Sequence, residues 1–158
     1  MKNQEAKILS GIAGEYFVAG ELSRRGYIAS ITLKNTAHID VLASNGKKAV
    51  NIQVKTRCIE RAKGWDLGDK PLEYKEFSNN IFYVLVESHL DPNNKEIGYY
   101  VIPKNKLNKQ IEEKFLLWKS KNKSNGDPKK SERRMFEIKD HLEFNFEKYK
   151  DNWNQLFI

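Results

Sequence analysis

The sequence predicts an α/β fold in which a mixed central β-sheet is flanked by helices, with elements in the order α-β-β-β-(α)-β-β-α. Three observations carry that expectation. Ala49 to Arg57 alternates strictly, with Val50, Ile52 and Val54 on one face of an extended strand and Asn51, Gln53, Lys55 and Arg57 on the other. Asn45-Gly46 separates that strand from a second one, His38 to Ala43, and Asn-Gly between two apolar alternations is the strongest short-range hairpin signal. Ile81 to Val86 is apolar without a break, as a central strand buried on both faces is.

The elements follow in order. Residues 4–26 read as a helix, with Leu9, Ile12, Ala13, Tyr16 and Gly20 as its apolar stripe. Ile8, Ile12, Ala19 and Leu22 widen that stripe, and Glu15 falls inside the second row. An acid buried there unpaired is costly, so Glu15 either has a partner or reaches water at the stripe's edge. Gly26 caps the helix after Arg24-Arg25, whose charges suit a helix C-terminus. Tyr27 to Ile31 is the first strand, and the hairpin comes next. From Ile59 to Asn80 the pattern breaks around Gly64, Gly68 and Pro71, which predicts a long loop with one short helix over Leu72 to Phe77. After Ile81 to Val86 comes a turn-rich loop, then a strand over Ile97 to Ile102 stopped by Pro103. Lys104 to Lys121 is an amphipathic helix with Leu107, Ile111, Phe115 and Trp118 at helical spacing. Ser124 to Pro128 is a loop, Met135 to Ile138 a short edge strand, and Tyr149 to Ile158 a terminal segment docked on the core. No internal repeat or boundary divides the chain, so residues 1–158 are read as one domain with a basic C-terminal third.

Composition narrows the function. No apolar run is long enough to span a membrane, and no N-terminal stretch has a signal-peptide layout, so a cytoplasmic protein with no membrane partner is expected. Cys58 is the single cysteine, which excludes a disulfide framework and a cysteine-based zinc site. The net charge is +7. Lys104 to Arg134 holds eleven Lys or Arg against four Asp or Glu, while the rest of the chain is neutral. A localised basic segment favours a polyanion such as nucleic acid, with Lys129, Lys130, Arg133 and Arg134 as its densest cluster; the bland alternative is a solvated lysine-rich surface.

The hairpin carries the chemistry. The simplest register sets Ser44 opposite Lys47 and Asp40 opposite Asn51, so Asp40 lies diagonal to Gln53; a longer loop would bring the two directly opposite. Gln53 and Lys55, one residue apart, project side by side. One patch then holds a carboxylate, a neutral carbonyl oxygen and an ammonium, the makings of a hard-cation site with a charged helper. Taken singly, each has a plainer reading. Asp40 and Lys55 could form a surface ion pair, Gln53 and His38 could be solvated strand residues, and Thr56 and Arg57 could either touch phosphate or only cover the surface.

Glu15 on the first helix, Asp40 on one strand and Gln53-Val54-Lys55 on the next resemble the PD-(D/E)XK nuclease superfamily, whose fold is restriction-endonuclease-like. The spacing of Gly11, Glu15, Leu22 and Gly26-Tyr27 also resembles archaeal Holliday-junction resolvases. The resemblance covers residues 11–57 by motif and extends to Ile102 by element order alone. It implies phosphodiester cleavage with Mg²⁺, for which Mn²⁺ can substitute. Asp40 would be the main metal ligand, Glu15 a further ligand, Gln53 the occupant of a position usually acidic, and Lys55 the lysine of the motif. Two residues depart from the pattern. Ile39 stands where a proline is usual, and Gln53 removes about one unit of negative charge and weakens metal binding.

The expected function is therefore a Mg²⁺-dependent endonuclease acting on DNA. Arg57 and the basic cluster would contact nucleic acid, and a homodimer would supply two sites for two strands. The alternatives are a catalytically inactive nucleic-acid-binding module of the same fold, which Gln53 favours, and an RNA-directed nuclease.

Overall fold

A computed structural model of the chain describes residues 3–33, 39–72, 80–140 and 143–158. The first element is a helix, α1 (Asn3–Arg24). It ends in a glycine cap: Gly26 has φ +84°, the Gly26 N–H donates to Ser23 O at 2.9 Å, and the Tyr27 N–H donates to Leu22 O at 3.0 Å. That double bond pattern satisfies carbonyls the helix leaves open, and only glycine takes the left-handed backbone without cost. Strands β1 (Ile28–Ile31), β2 (Val41–Ser44) and β3 (Ala49–Cys58) follow as an antiparallel meander.

The hairpin register differs from the expected one. Ser44 pairs with Ala49 and Leu42 with Asn51, so four residues, Asn45 to Lys48, form the loop. Asn45 causes this. Its side-chain oxygen accepts the N–H groups of Lys47 and Lys48 at 3.0 and 2.8 Å, while Gly46 adopts φ +84°. An asparagine bonding the backbone ahead of it builds a wider turn than two residues allow.

Residues 59–80, expected to be a loop, contain a short strand, β4 (Trp65–Gly68). The helix expected over Leu72 to Phe77 lies outside the described residues past Leu72. Then β5 (Ile81–Ser88) pairs parallel with β3, and β6 (Gly98–Pro103) pairs antiparallel with β5. Among the described residues the main sheet thus has five strands in the order β1-β2-β3-β5-β6, mixed in direction and flanked by helices. After α2 (Lys104–Lys119) comes β7 (Arg134–Phe136), which pairs with β4 as a separate two-stranded ribbon. The chain closes with short 3-10 turns, one of which is Trp153–Phe157.

Each face of the sheet has its own apolar core. Val50, Ile52 and Val54 of β3 join Val18 and Leu22 of α1, Val84 of β5, and Trp153 and Leu156 of the terminal segment. On the other face Tyr83, Leu85 and Ile102 join Leu107 and Ile111 of α2, with Trp65, Leu67 and Phe136 of the ribbon. β5 contributes to both, as its unbroken apolar run requires. Each of these side chains contributes about 1.5–3 kcal/mol by burial.

The face of α1 that meets the sheet is not the expected stripe. Gly14, Val18 and Leu22 turn inward, while Leu9 and Tyr16 are 54 % and 66 % exposed. Gly14 explains how close the helix lies: a Cβ there would fall 1.8 Å from Thr56 Oγ1. On α2, Leu107, Ile111 and Phe115 are buried as expected, but Trp118 is half-exposed. No helix among the described residues is long and apolar enough to cross a membrane.

Candidate functional site

Because side chains alternate along β3, Gln53 and Lys55 leave the sheet on the face opposite α1. There they line a cleft of about 460 Å³. Leu67 and Gly68 of β4 with residues 69–72 form one wall, Tyr83 of β5 lies on the floor, and Lys104 and Asn108 of α2 form the opposite wall. Gln53 is buried, and its Oε1 has no hydrogen-bond partner among the described residues. A buried amide oxygen left unbonded costs about 1–3 kcal/mol, so its presence in a cleft wall needs a reason beyond folding.

Asp40 sits where β2 begins. Its backbone bridges two strands: the Asp40 N–H donates to Ile52 O at 2.8 Å, and its carbonyl accepts from the Thr32 N–H at 2.9 Å. One step past the Val41–Ile52 pair, the register sets Asp40 against Gln53. The carboxylate accepts the Val54 N–H at 2.7 Å on Oδ2. That bond orients the side chain and holds the edge of β3 where β2 has not yet begun. The carboxylate also acts on the cleft floor, since burial first, and Asp40 second, push the Tyr83 phenol well above its ordinary range. Tyr83 therefore stays a neutral hydroxyl able to donate.

Glu15 belongs to the helix on the other face. It is half-buried and follows Gly14, the residue pressed on Thr56. The turn of α1 that carries it thus lies over the stretch of β3 beyond the end of β2. His38 lies outside the described residues.

Four of the five cationic residues expected at nucleic acid have partners within the chain. Arg57 donates to Glu87 and to the carbonyl of Lys63, and its guanidinium lies 4.1 Å over the Trp65 ring. Its side chain is 11 % exposed. Arg134 is almost fully buried. It bonds both carboxylate oxygens of Glu112, at 2.8 and 2.7 Å, and the carbonyls of Asp69 and Glu132. It also lies 3.9 Å over the Phe115 ring. Four of its five N–H groups are engaged, so Arg134 supports the ribbon rather than facing solvent. Arg133 pairs with Asp66 but is 55 % exposed. Lys129 folds over Trp118, donating to its carbonyl at 2.9 Å, and Lys130 is exposed.

Sequence reasoning missed Tyr83, Lys70, Lys104 and Asn108 in the cleft. Tyr83 was legible in part, because a hydroxyl inside an unbroken apolar run asks for a polar neighbour. Lys104 and Asn108 gave no such signal: they come to Gln53 only through the packing of α2.

No family model and no curated protein matches the sequence. Among solved structures, the chain is similar to a bacterial homing endonuclease, with a TM-score of 0.53 over 92 % of this chain and 89 % of that one, at 13 % identity. At that identity the likeness shows the fold alone, a mixed α/β architecture.

Proposed function

We propose that the chain is a metal-dependent endonuclease that hydrolyses phosphodiester bonds of DNA, with its active site in the Gln53–Lys55 cleft. The observation that carries this reading is the buried Gln53 Oε1, without a partner among the described residues, beside Lys55 and set against Asp40. Similarity to a homing endonuclease adds support at the level of fold.

The donor set suits a hard cation. Asp40 and Gln53 offer oxygen atoms only on the cleft face, and Gln53 Oε1 is an acceptor waiting for a charge; Glu15, carried by α1 on the other face of the sheet, would join them only around the stretch of β3 past the end of β2. These residues would hold Mg²⁺ or Mn²⁺, which when bound supplies a lowered pKa for water and polarises the phosphoryl oxygen. The protein's own groups do the rest. Lys55 places a positive charge beside Gln53, where negative charge grows on the phosphate oxygens in the transition state. The protonated Tyr83 hydroxyl offers a neutral donor on the floor. Lys70 and Lys104, which line the cleft, would attract the phosphate backbone and set its register without reading bases.

One observation favours a second reading, a binding module without catalysis: Gln53 is neutral, and Asp40 already spends one oxygen on the Val54 N–H. A cleavage assay on single-stranded, duplex and branched DNA and on RNA separates the two. Cleavage of DNA with Mg²⁺ or Mn²⁺, abolished by a chelator, is the expected result. Tight binding with no cleavage under either metal makes it a binding module, and cleavage of RNA alone makes it an RNA-directed enzyme.

A further inference from the structure

Trp118 continues the buried stripe of α2, yet the fold does not cover it. Of the three tryptophans, Trp65 and Trp153 are 0 % and 1 % exposed, whereas Trp118 is 41 % exposed. Its ring lines a second cleft, of about 370 Å³, between the last turns of α2 and β7. Phe115 and Met135 give that cleft apolar walls, and Lys114 and Arg133 give it charge. No carboxylate lines it among the described residues. The acids nearest to it are already matched, Glu132 by Lys119 and Asp66 by Arg133. The walls are tied down. Lys119 Nζ donates to Ser131 O at 3.3 Å and to the Glu132 carboxylate, and Lys129 Nζ donates to Trp118 O at 2.9 Å. Both rings carry a cation: the Arg134 guanidinium lies 3.9 Å over Phe115, and the Lys129 ammonium 4.5 Å over Trp118. The two rings are themselves neighbours, with centroids 5.8 Å apart and planes 31° from parallel.

We propose that this cleft takes a single unpaired nucleobase, stacked on Trp118, with the phosphates on either side of the base drawn to Lys114 and Arg133. Chemistry selects that occupant. An apolar peptide would match Phe115, Trp118 and Met135 but not the cations beside them. A paired duplex would match the cations but keeps its bases in its own stack, which leaves the indole wet. An unpaired nucleotide answers both, with a flat π-face for the ring and negative charge for the ammonium and guanidinium. The volume suits it, since small-ligand sites occupy about 300–1,000 Å³. The cleft is separate from the Gln53–Lys55 cleft. Asn108, which lines that one, lies about 15 Å back along α2 from Trp118. The inference deepens the proposed function: it rests on nucleic acid as the partner, though not on cleavage. It makes the preferred DNA one with an unpaired nucleotide, such as a bulge or a gap.

The test is binding of the intact chain to DNA in a chelator, where no metal and no cleavage enter. Two probes are titrated while tryptophan emission is read: a perfect duplex, and the same duplex with one bulged thymidine. The wild type should bind the bulged probe at least about tenfold more tightly. Only that probe should quench emission, because Trp118 is the tryptophan a base can reach. Trp118→Leu should remove both the preference and the quenching while binding the perfect duplex as wild type does. Trp118→Phe, which keeps an aromatic face, should restore most of the preference. Equal affinity of the wild type for the two probes overturns the proposal, as does a preference that survives Trp118→Leu. Emission unmoved by a bound bulged probe overturns it too, and gives the surface to a protein partner. A chain that binds duplex without preference loses this site alone. A chain that prefers the bulge but never cuts DNA loses the nuclease reading and keeps the site.

Discussion

Gln53 is where the account is most exposed, because a neutral amide stands where the nuclease resemblance implies an acid. Gln53→Glu should bind Mg²⁺ more tightly, read by calorimetric titration, and keep or raise cleavage, since the added charge favours the ion. Unchanged affinity would place the ion elsewhere. Asp40→Asn should lose most cleavage yet keep the fold, because an amide oxygen can still accept the Val54 N–H. What the sequence disclosed at this scale follows from the period of a strand. Alternation put Gln53 and Lys55 on one face, and they share one cleft. It also put Arg57 on that face, but could not foresee Glu87 and Trp65, which reach it from β5 and β4. Pairings across separate elements leave no periodic trace, so the burial of Arg134 against Glu112 was equally hidden.

At the scale of elements, two joints hold the cleft in shape. The first is the approach of α1 to β3. Gly14→Ala would drive a Cβ into Thr56, and should cost about 1–3 kcal/mol of stability in a urea titration. Adding Thr56→Ala, which removes the nearest atom, should recover part of that loss. The second is the Glu112–Arg134 pair, which ties α2 to β7 and accepts the Leu72 N–H at 3.1 Å in the cleft wall. Glu112→Gln leaves a buried guanidinium uncompensated and should cost about 3–5 kcal/mol. Apart from the cleft, the ion pairs of Asp66 with Lys7 and Arg133 give a pH signature. Burial pushes Asp66 upward, but hydrogen bonds from Arg133, Lys7 and the Gly68 N–H outweigh it and hold the carboxyl at about 2, below its ordinary 3.8. A depressed folded pKa means stability that is complete above the ordinary value and lost as pH falls toward the folded one. Melting temperatures of wild type and Asp66→Asn should therefore differ at neutral pH and converge between about pH 4 and pH 2. The strands were legible because apolar alternation is local. β4 was not, since its four residues, which follow Gly64 and end in Gly68, pair with Arg134–Phe136, far along the chain. The stripe on α1 misled because the helix carries two apolar faces and the sheet covers one.

For the whole molecule, the +7 charge is a statement about partners. Its distribution was readable from the sequence, but the fold changes which charges can reach a polyanion. Arg134 is buried in an ion pair, leaving Lys129, Lys130 and Arg133 at the surface. Binding of uncut DNA should weaken with salt, log K falling by about 0.9 per neutralised phosphate for each unit of log salt. Neutral replacements at Lys129, Lys130 and Arg133 together should flatten that slope, by about 1 for each phosphate no longer neutralised. An unchanged slope would mean that the segment only solvates the protein. The central claim, however, is that one cleft does the chemistry, and Lys55→Ala tests it most directly. The core face of its strand is Val50, Ile52 and Val54, so the variant should fold as wild type does. With Mg²⁺ and DNA it should lose about 10²–10³ in cleavage rate while binding uncut DNA nearly as well. A Lys55→Ala variant that cleaves as fast as wild type would contradict the account.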